Sequence, residues 1–247
     1  MKGEYVTFID SDDTVLPNYL ERLLTALTVN SADVSVCSLK RGEKDKEEIF
    51  REDVVYAGEE ACIEIYRPLK NDVVMVVSCA KLYKQKCFND VRFPVGKIHE
   101  DQFTTYKILF ACDQVVKIRE KLYCYTVDNN NSITHSSFSI KRYDDLFAID
   151  EALQFYKTNN KTDLYIAAQE RKIRIQADYS LNARKVKAYS QVPKLYRMSA
   201  QTAWRVLEKQ MDNDTFEYYM SQFYPRIIRF RAYCRKLGSL LKGKPTH

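Results

Sequence analysis

The sequence has few of the residues from which structural metal sites are built, and it has no long apolar run. Only 3 of its 247 residues are His, and its 7 cysteines include no Cys-x-x-Cys pair. Structural zinc sites take four closely spaced Cys or His ligands, so this pattern argues against one. No stretch approaches the roughly eighteen apolar residues that a transmembrane helix requires. The scattered cysteines lie mostly in apolar surroundings, which is typical of reduced core thiols and indicates a cytoplasmic location.

Internal repeats and low-complexity segments are missing as well, and the chain divides into two regions. With 45% hydrophobic and 29% charged residues, it is long enough for one or two domains with their own cores. Up to about residue 127, short apolar strands alternate with helices, whereas the pattern from 140 onward is helical. We therefore predict an α/β region over 1–135 and a helical region over 140–247, with the break inside 128–139.

The elements of the first region follow from apolar periodicity. Tyr5–Ile9 is rich in β-branched and aromatic residues and predicts a strand buried on both faces. The further predicted strands are 32–38, 114–118 and 121–127, and the predicted helices are 16–27, 58–69 and 100–112. In the second region, helices are predicted over 140–158, 163–188, 193–210 and 213–240.

Three aspartates, Asp10, Asp12 and Asp13, directly follow the first predicted strand. Like charges this close repel each other, so the cluster costs stability unless a cation or donor groups compensate. Carboxylate oxygens favour Mg²⁺ or Mn²⁺, and Mg²⁺ usually takes one or two carboxylates plus substrate phosphates. The alternative is a solvated turn in which one carboxylate caps the following helix. These residues alone leave both interpretations open.

A second acidic pair, Glu100 and Asp101, stands where a loop containing Gly96 enters a predicted helix. Acidic residues in a first helical turn are stabilised by the helix dipole, which is a sufficient structural explanation. The functional alternative is that one carboxylate acts as a general base. His99 lies beside the pair and belongs to the residue type that titrates near neutral pH.

Four segments together carry a family resemblance. They are KGEYVTFIDSDD, CAKLYKQKCF, VRFPVGKIHEDQFTTYKIL and KLYCYTVDNNNSIT, in this order within residues 2–134. In order and approximate spacing the set resembles bacterial glycosyltransferases of family 2, which are inverting enzymes with the GT-A fold. The resemblance implies transfer of a sugar in cell-surface polysaccharide synthesis, from a nucleotide-sugar donor, expected to be a UDP-sugar, to a glycan or lipid-linked acceptor.

The resemblance also implies roles for the acidic residues. Asp10 and Asp12 fall on the family's D-x-D motif, so Asp12 would bind Mg²⁺ or Mn²⁺ and Asp10 would contact the nucleotide and share the metal. Asp13 would support them. Glu100 and Asp101 fall on the family's Glu-Asp pair, in which the Asp is the usual catalytic base. Supporting roles are implied for Lys81, Tyr83 and Ser132.

In this family the metal-binding strand follows earlier strands that bind the base and ribose of the donor. The present sequence starts one step before that strand. The expectation is therefore an incomplete GT-A fold, with a Rossmann-like mixed sheet that lacks the N-terminal nucleotide-binding third. The alternative function is a non-catalytic remnant, or one half of a split glycosyltransferase that needs a separate N-terminal fragment.

The end of the sequence is basic, and it contains no acid after Glu217. Residues 225–244 interleave Arg and Lys with Ile, Phe and Leu, which is typical of a helix lying on an anionic membrane surface. A basic helix end packed on its own domain explains the pattern equally well. Nothing else in the sequence supports nucleic-acid binding. The predicted location is cytoplasmic, and the membrane interpretation of residues 225–244 adds peripheral attachment to the inner face of the membrane.

Overall fold

The computed structural model describes residues 3–42, 52–67, 73–126 and 138–210. The chain forms two compact units, residues 1–172 and 173–247. Ser132, most of the predicted break at 128–139 and the basic segment 225–244 lie outside the described residues, as does most of the charged segment 40–53.

Within the described residues of the first unit, six strands form one mixed sheet. They are β1 (Tyr5–Val6), β2 (Thr14–Val15), β3 (Val34–Arg41), β4 (Val54–Ala57), β5 (Lys81–Lys84) and β6 (Gln114–Tyr125). Their order is β1-β5-β3-β6-β2, and β4 also pairs with β6. Since β5 is antiparallel to both β1 and β3, and β3 is parallel to β6, strands β1, β3 and β6 end at the same edge of the sheet.

The centre of the sheet is the parallel pair β3 and β6. The first six residues of β3 are buried, as expected for a strand covered on both faces. The sequence predicted two strands over 114–127, but β6 is continuous, because Arg119 and Glu120 are accommodated where its register with β3 shifts. Glu120 then accepts hydrogen bonds from the Arg22 guanidinium, so the charged pair that resembled a break is part of the strand.

The prediction for Tyr5–Ile9 is wrong in length and burial. Only Tyr5 and Val6 form a strand, at the edge of the described sheet, and Tyr5 and Ile9 are 38% and 47% exposed. After Val6 the chain is held by other contacts. The Thr7 hydroxyl donates to the Lys81 carbonyl at 2.7 Å, and the Phe8 ring packs edge-on against aromatic rings such as Phe93, 5.4 Å between centroids.

Six α-helices occur in the described residues. They are α1 (Tyr19–Val29), α2 (Gly58–Tyr66), α3 (Glu100–Phe110), α4 (Asp144–Thr158), α5 (Thr162–Lys185) and α6 (Ala200–Gln210). The predicted helices up to residue 210 are thus confirmed apart from their ends, as is the α/β class with a helical C-terminal region. The helix predicted over 213–240 lies outside the described residues. None of the described helices is long and apolar enough to cross a membrane.

Helix α2 approaches the end of α3 very closely, and Gly58 makes this approach possible. A Cβ atom at this position would lie 2.4 Å from the carbonyl oxygens of both Leu109 and Cys112. The sequence starts α2 at a glycine because any side chain there would collide with backbone. The six described cysteines are all free, and Cys37, Cys62, Cys79 and Cys112 are buried.

In the second unit, a small apolar cluster joins the later part of α5 to α6. Its buried members are Ala177, Leu181, Ala203 and Leu207.

Candidate active site

A cleft of about 380 Å³ brings together three of the five acidic residues that the sequence singled out. Asp10, Glu100 and Asp101 line it. The other lining residues are Leu39, Arg41, Val73, Val77, Ser78, Cys79 and Tyr125. The cleft lies at the edge where β1, β3 and β6 end, which is where ligands bind in open α/β sheets.

Asp101 reaches the cleft from the first turn of α3. The helix begins at Glu100, directly after His99, whose backbone adopts a left-handed conformation with φ of 57°. The Ser78 backbone amide donates a hydrogen bond to Asp101 Oδ1 at 3.1 Å. This bond fixes the carboxylate against the loop on the opposite wall. A first-turn position and a functional position are therefore compatible for the same residue.

The environment of Asp101 raises its pKa to about 6. Burial is the main cause, and the negative charge of Glu100 adds to it, while the hydrogen bonds from Ser78 and the positive charge of Lys81 act in the opposite direction. A carboxyl group with this pKa is mostly ionised at pH 7 and is still a much stronger base than an ordinary aspartate. These are the properties that general-base catalysis requires near neutral pH.

Asp10 is influenced by the negative charges of both acidic groups, the one after β1 and the one at the start of α3. Its backbone amide donates to the Tyr123 hydroxyl at 3.0 Å, which places it beside the end of β6. Burial raises the pKa of its carboxyl group, and repulsion from Asp13, Asp12 and Glu100 raises it further. A bound cation would relieve that repulsion, so this carboxylate suits a hard divalent ion held by one or two protein ligands.

Asp12 and Asp13 are adjacent to the cleft but are not among its lining residues. Asp13 is only 9% exposed, and its Oδ1 accepts a hydrogen bond from the Thr126 amide at 2.8 Å. The Asp12 carbonyl accepts from the Thr126 hydroxyl. The N-cap residue of α1 is Asn18, so none of the three aspartates caps that helix. Part of the acidic triplet therefore joins the turn after β1 to the end of β6.

Within the described parts of the chain, no group of three or more His, Cys, Asp or Glu side chains is placed to hold a metal ion. A site completed by substrate phosphates needs fewer protein ligands than that. The assignments of Asp10 and Asp12 as metal ligands remain predictions.

Sequence reasoning missed several cleft residues. Arg41 and Tyr125 are register partners at the ends of β3 and β6. The rule that ligands bind beyond the carboxyl ends of parallel strands identifies such positions once the two strands are known to be neighbours. Ser78 acts through its backbone amide, for which the side-chain pattern contains no signal.

Comparisons with known proteins agree with the sequence-based resemblance. The model of the family described as "Glycosyl transferase family 2" matches residues 1–92. The glycosyltransferase GlyA of Streptococcus pneumoniae is 27% identical over 135 residues, covering 51% of this chain and 19% of GlyA. GlyG of the same organism is 26% identical over 150 residues, covering 56% of this chain and 48% of GlyG. The matches thus span less than half of these relatives' own length.

Among solved structures, residues 1–349 of S. aureus TarS in complex with UDP-GlcNAc align with 76% of this chain and 60% of that one. The identity is 16% and the TM-score is 0.45, which is too low to support an inference. The assignment therefore depends on the family-model match and the curated relatives. Over residues 1–92 this chain is thus similar to glycosyl transferase family 2.

Proposed function

We propose that this protein transfers a sugar from a UDP-sugar donor to a hydroxyl group of a glycan or lipid-linked acceptor. The transfer inverts the configuration at the anomeric carbon and serves cell-surface polysaccharide synthesis. The observation that carries the proposal is the position of Asp101. Its carboxylate lines the same cleft as Asp10, is held by the Ser78 amide, and has a pKa of about 6. The family 2 match supports the reaction class.

In the proposed reaction, Asp101 accepts the proton of the acceptor hydroxyl group. The acceptor oxygen forms a bond to the anomeric carbon while the bond from that carbon to the diphosphate oxygen breaks on the opposite face. The proton ends on Asp101 and the electron pair of the broken bond on the nucleoside diphosphate. Glu100, beside the base, raises its proton affinity through its negative charge.

Asp10 and Asp12 are the residues that we propose hold Mg²⁺ or Mn²⁺. When bound, the ion would offset the negative charge of the leaving diphosphate. Asp13 supports this role indirectly, because its bond to Thr126 fixes the turn that carries the other two aspartates.

The test is a transfer assay on the purified chain, with a panel of UDP-sugars, Mn²⁺ and glycan or lipid-linked acceptors. Release of nucleoside diphosphate measures turnover, and proton NMR of the product gives its anomeric configuration. We expect a configuration opposite to that of the donor. Retained configuration would contradict the mechanism, and a folded protein without transfer to any acceptor would favour the non-catalytic alternative.

A matched control is available in the chain. Asp163 occupies the first turn of α5, as Asp101 does in α3, but it is exposed and is not among the residues lining the cleft. Asp163→Asn should leave transfer unchanged. An equal loss of activity in Asp101→Asn and Asp163→Asn would mean that the effect reflects helix stability rather than catalysis.

We further propose that residues 225–244 hold the protein on the inner face of an anionic membrane. Support comes from the sequence, in which seven basic residues and no acids follow Glu217. Such a location would bring the protein to the membrane that carries a lipid-linked acceptor.

A further inference from the structure

Lys81 is a charged residue whose side chain lies wholly inside the protein. It is 0% exposed. Its Nζ donates to the backbone carbonyls of Val74 and Val77 and reaches that of Cys79 at 3.5 Å. Carbonyl oxygens can only accept hydrogen bonds, and the lysine ammonium supplies three donors. The contacts therefore fit the charged form of the side chain.

The partners of Lys81 belong to residues 73–80, which we call the 73–80 loop and which form one wall of the cleft. Two further contacts fix this loop. The Tyr83 hydroxyl donates to the Ser78 carbonyl at 2.9 Å, and the Cys37 amide donates to the Ala80 carbonyl at 3.0 Å. The loop carbonyls are thus bound from the sheet side, while the Ser78 amide bonds to Asp101 on the cleft side.

Burying an ammonium group is costly, and a methionine or leucine at this position would avoid the cost. A role as a simple packing residue therefore does not explain the choice of lysine. Two explanations remain. The ammonium could serve only as a clamp for the loop, or its charge could also act on the catalytic carboxylate. Lys81 does act on Asp101, because its positive charge lowers the pKa of that residue against the larger effect of burial.

We propose that Lys81 is a positioning residue of the active site: its buried ammonium group holds the 73–80 loop so that the Ser78 amide meets Asp101, and its charge favours the carboxylate form of that residue. The catalytic consequence depends on the proposed function. The arrangement itself can be measured without turnover.

The charged and polar groups around Asp101 come from several parts of the chain. Glu100 is the neighbouring charge on α3, and Asp10 lines the same cleft after β1. The remaining groups are Ser78 and Cys79 in the 73–80 loop and Lys81 and Tyr83 on β5. Lys81 is the buried cation beside Asp101, and Arg41 at the end of β3 lines the same cleft. Removal of Lys81 should therefore reduce the positive charge that offsets the negative charges around Asp101.

The decisive experiment is a carboxyl ¹³C NMR titration of Asp101, with its signal assigned through Asp101→Asn. Lys81→Gln keeps a donor group but removes the charge, and Lys81→Met removes both. We expect the Asp101 midpoint to move to higher pH by more than about 0.5 pH unit in each variant. Lys84→Met is the control, because Lys84 lies on the same strand but pairs with Asp33, 3.2 Å away. It should leave the midpoint unchanged.

Kinetics then separate charge from geometry. Lys81→Gln should shift the acid limb of the pH–kcat profile to higher pH. Lys81→Met should also lower kcat by about 10- to 100-fold through misplacement of Asp101, with little change in KM for the donor. If the wild type shows no turnover, the proposed function fails while the NMR titration still tests Lys81.

An unchanged Asp101 midpoint in a folded Lys81→Gln protein would overturn the inference. If Lys81→Met does not fold, the Asp101 midpoint in Lys81→Gln provides the test. Loss of folding in both variants would show that Lys81 is a structural anchor only, and this outcome would also overturn it.

Discussion

Replacing Asp101 by Asn should make the folded protein more stable above about pH 6, at the expense of catalysis. The pKa of this carboxyl group is raised from its ordinary value of 3.8 to about 6, mainly by burial. The folded state therefore binds a proton more tightly than the unfolded state does. Stability linked to this group is fully present below pH 3.8 and is lost as pH rises through about 6.

The size of the effect follows from the same pKa. The interval between 3.8 and about 6, at 1.36 kcal/mol per pH unit, corresponds to about 3 kcal/mol. Asparagine carries no charge and keeps an oxygen that can accept the hydrogen bond from the Ser78 amide. At pH 4 the unfolded carboxyl group is already more than half ionised, so about 0.5 kcal/mol of this difference is present at that pH. The stability difference, Asp101→Asn minus wild type, should therefore grow by about 2.4 kcal/mol between pH 4 and pH 8.

The assay is urea unfolding of the wild type and of Asp101→Asn at both pH values. Taking the difference between the two proteins cancels the titration of groups that they share. Asp163→Asn, at an exposed first-turn position, provides the control and should show no such pH dependence. A stability difference that is the same at pH 4 and pH 8 would refute the claim that burial destabilises the Asp101 carboxylate.

Three further predictions concern activity and location. The rate of transfer should fall about tenfold from pH 7 to pH 5, because a carboxyl group with a pKa of about 6 is about nine-tenths ionised at pH 7 and about one-tenth ionised at pH 5. A flat rate profile over this range would exclude Asp101 as the base. Excess chelator should abolish transfer, and added Mn²⁺ should restore it. Asp12→Asn should lower kcat, because the negative charge of the diphosphate would be less well neutralised. Full activity in excess chelator would show that the reaction needs no metal ion. Residues 225–244 should bind vesicles that contain anionic lipid, less tightly as salt rises, because exposed charges are screened near 0.1 M salt; equal binding to neutral vesicles would reject the electrostatic attachment.

The helices were the most predictable elements of the fold. The segments 58–69 and 100–112 carry apolar residues at helical spacing, and the structure forms α2 and α3 there, within a few residues. The buried strand over 32–38 was predictable for a similar reason, since its apolar run is covered on both faces in the observed β3. These patterns are local, so one sequence suffices to reveal them.

The errors arose where distant contacts decide the structure. An apolar run predicts that its residues are buried, but it does not identify the residues that cover them. After Val6 the chain leaves the sheet, and the Phe8 ring is covered by aromatic rings, among them Tyr83 on β5 and Phe93. Charged residues inside β6 resembled a break because Glu120 has its partner, Arg22, on a helix 98 positions earlier in the chain.

The candidate site was predictable in part. The acidic positions 10, 100 and 101 were singled out from their places beside a strand end and a helix start, and the structure brings them into one cleft. The contacts that hold the 73–80 loop next to these acidic residues were not predictable. Lys81 and Tyr83 bind backbone carbonyls of the 73–80 loop, and backbone groups are the same at every position of a sequence.

The central claim is that Asp101 is the catalytic base of a sugar transfer. It is tested most directly by measuring donor affinity and single-turnover rate on the same preparation of Asp101→Asn, beside the wild type and Asp163→Asn. We predict donor affinity close to that of the wild type and a rate reduced by about 10²- to 10⁴-fold, the usual contribution of a general base. A rate near that of the wild type in Asp101→Asn would contradict the account and transfer the role to Glu100, His99 or another group.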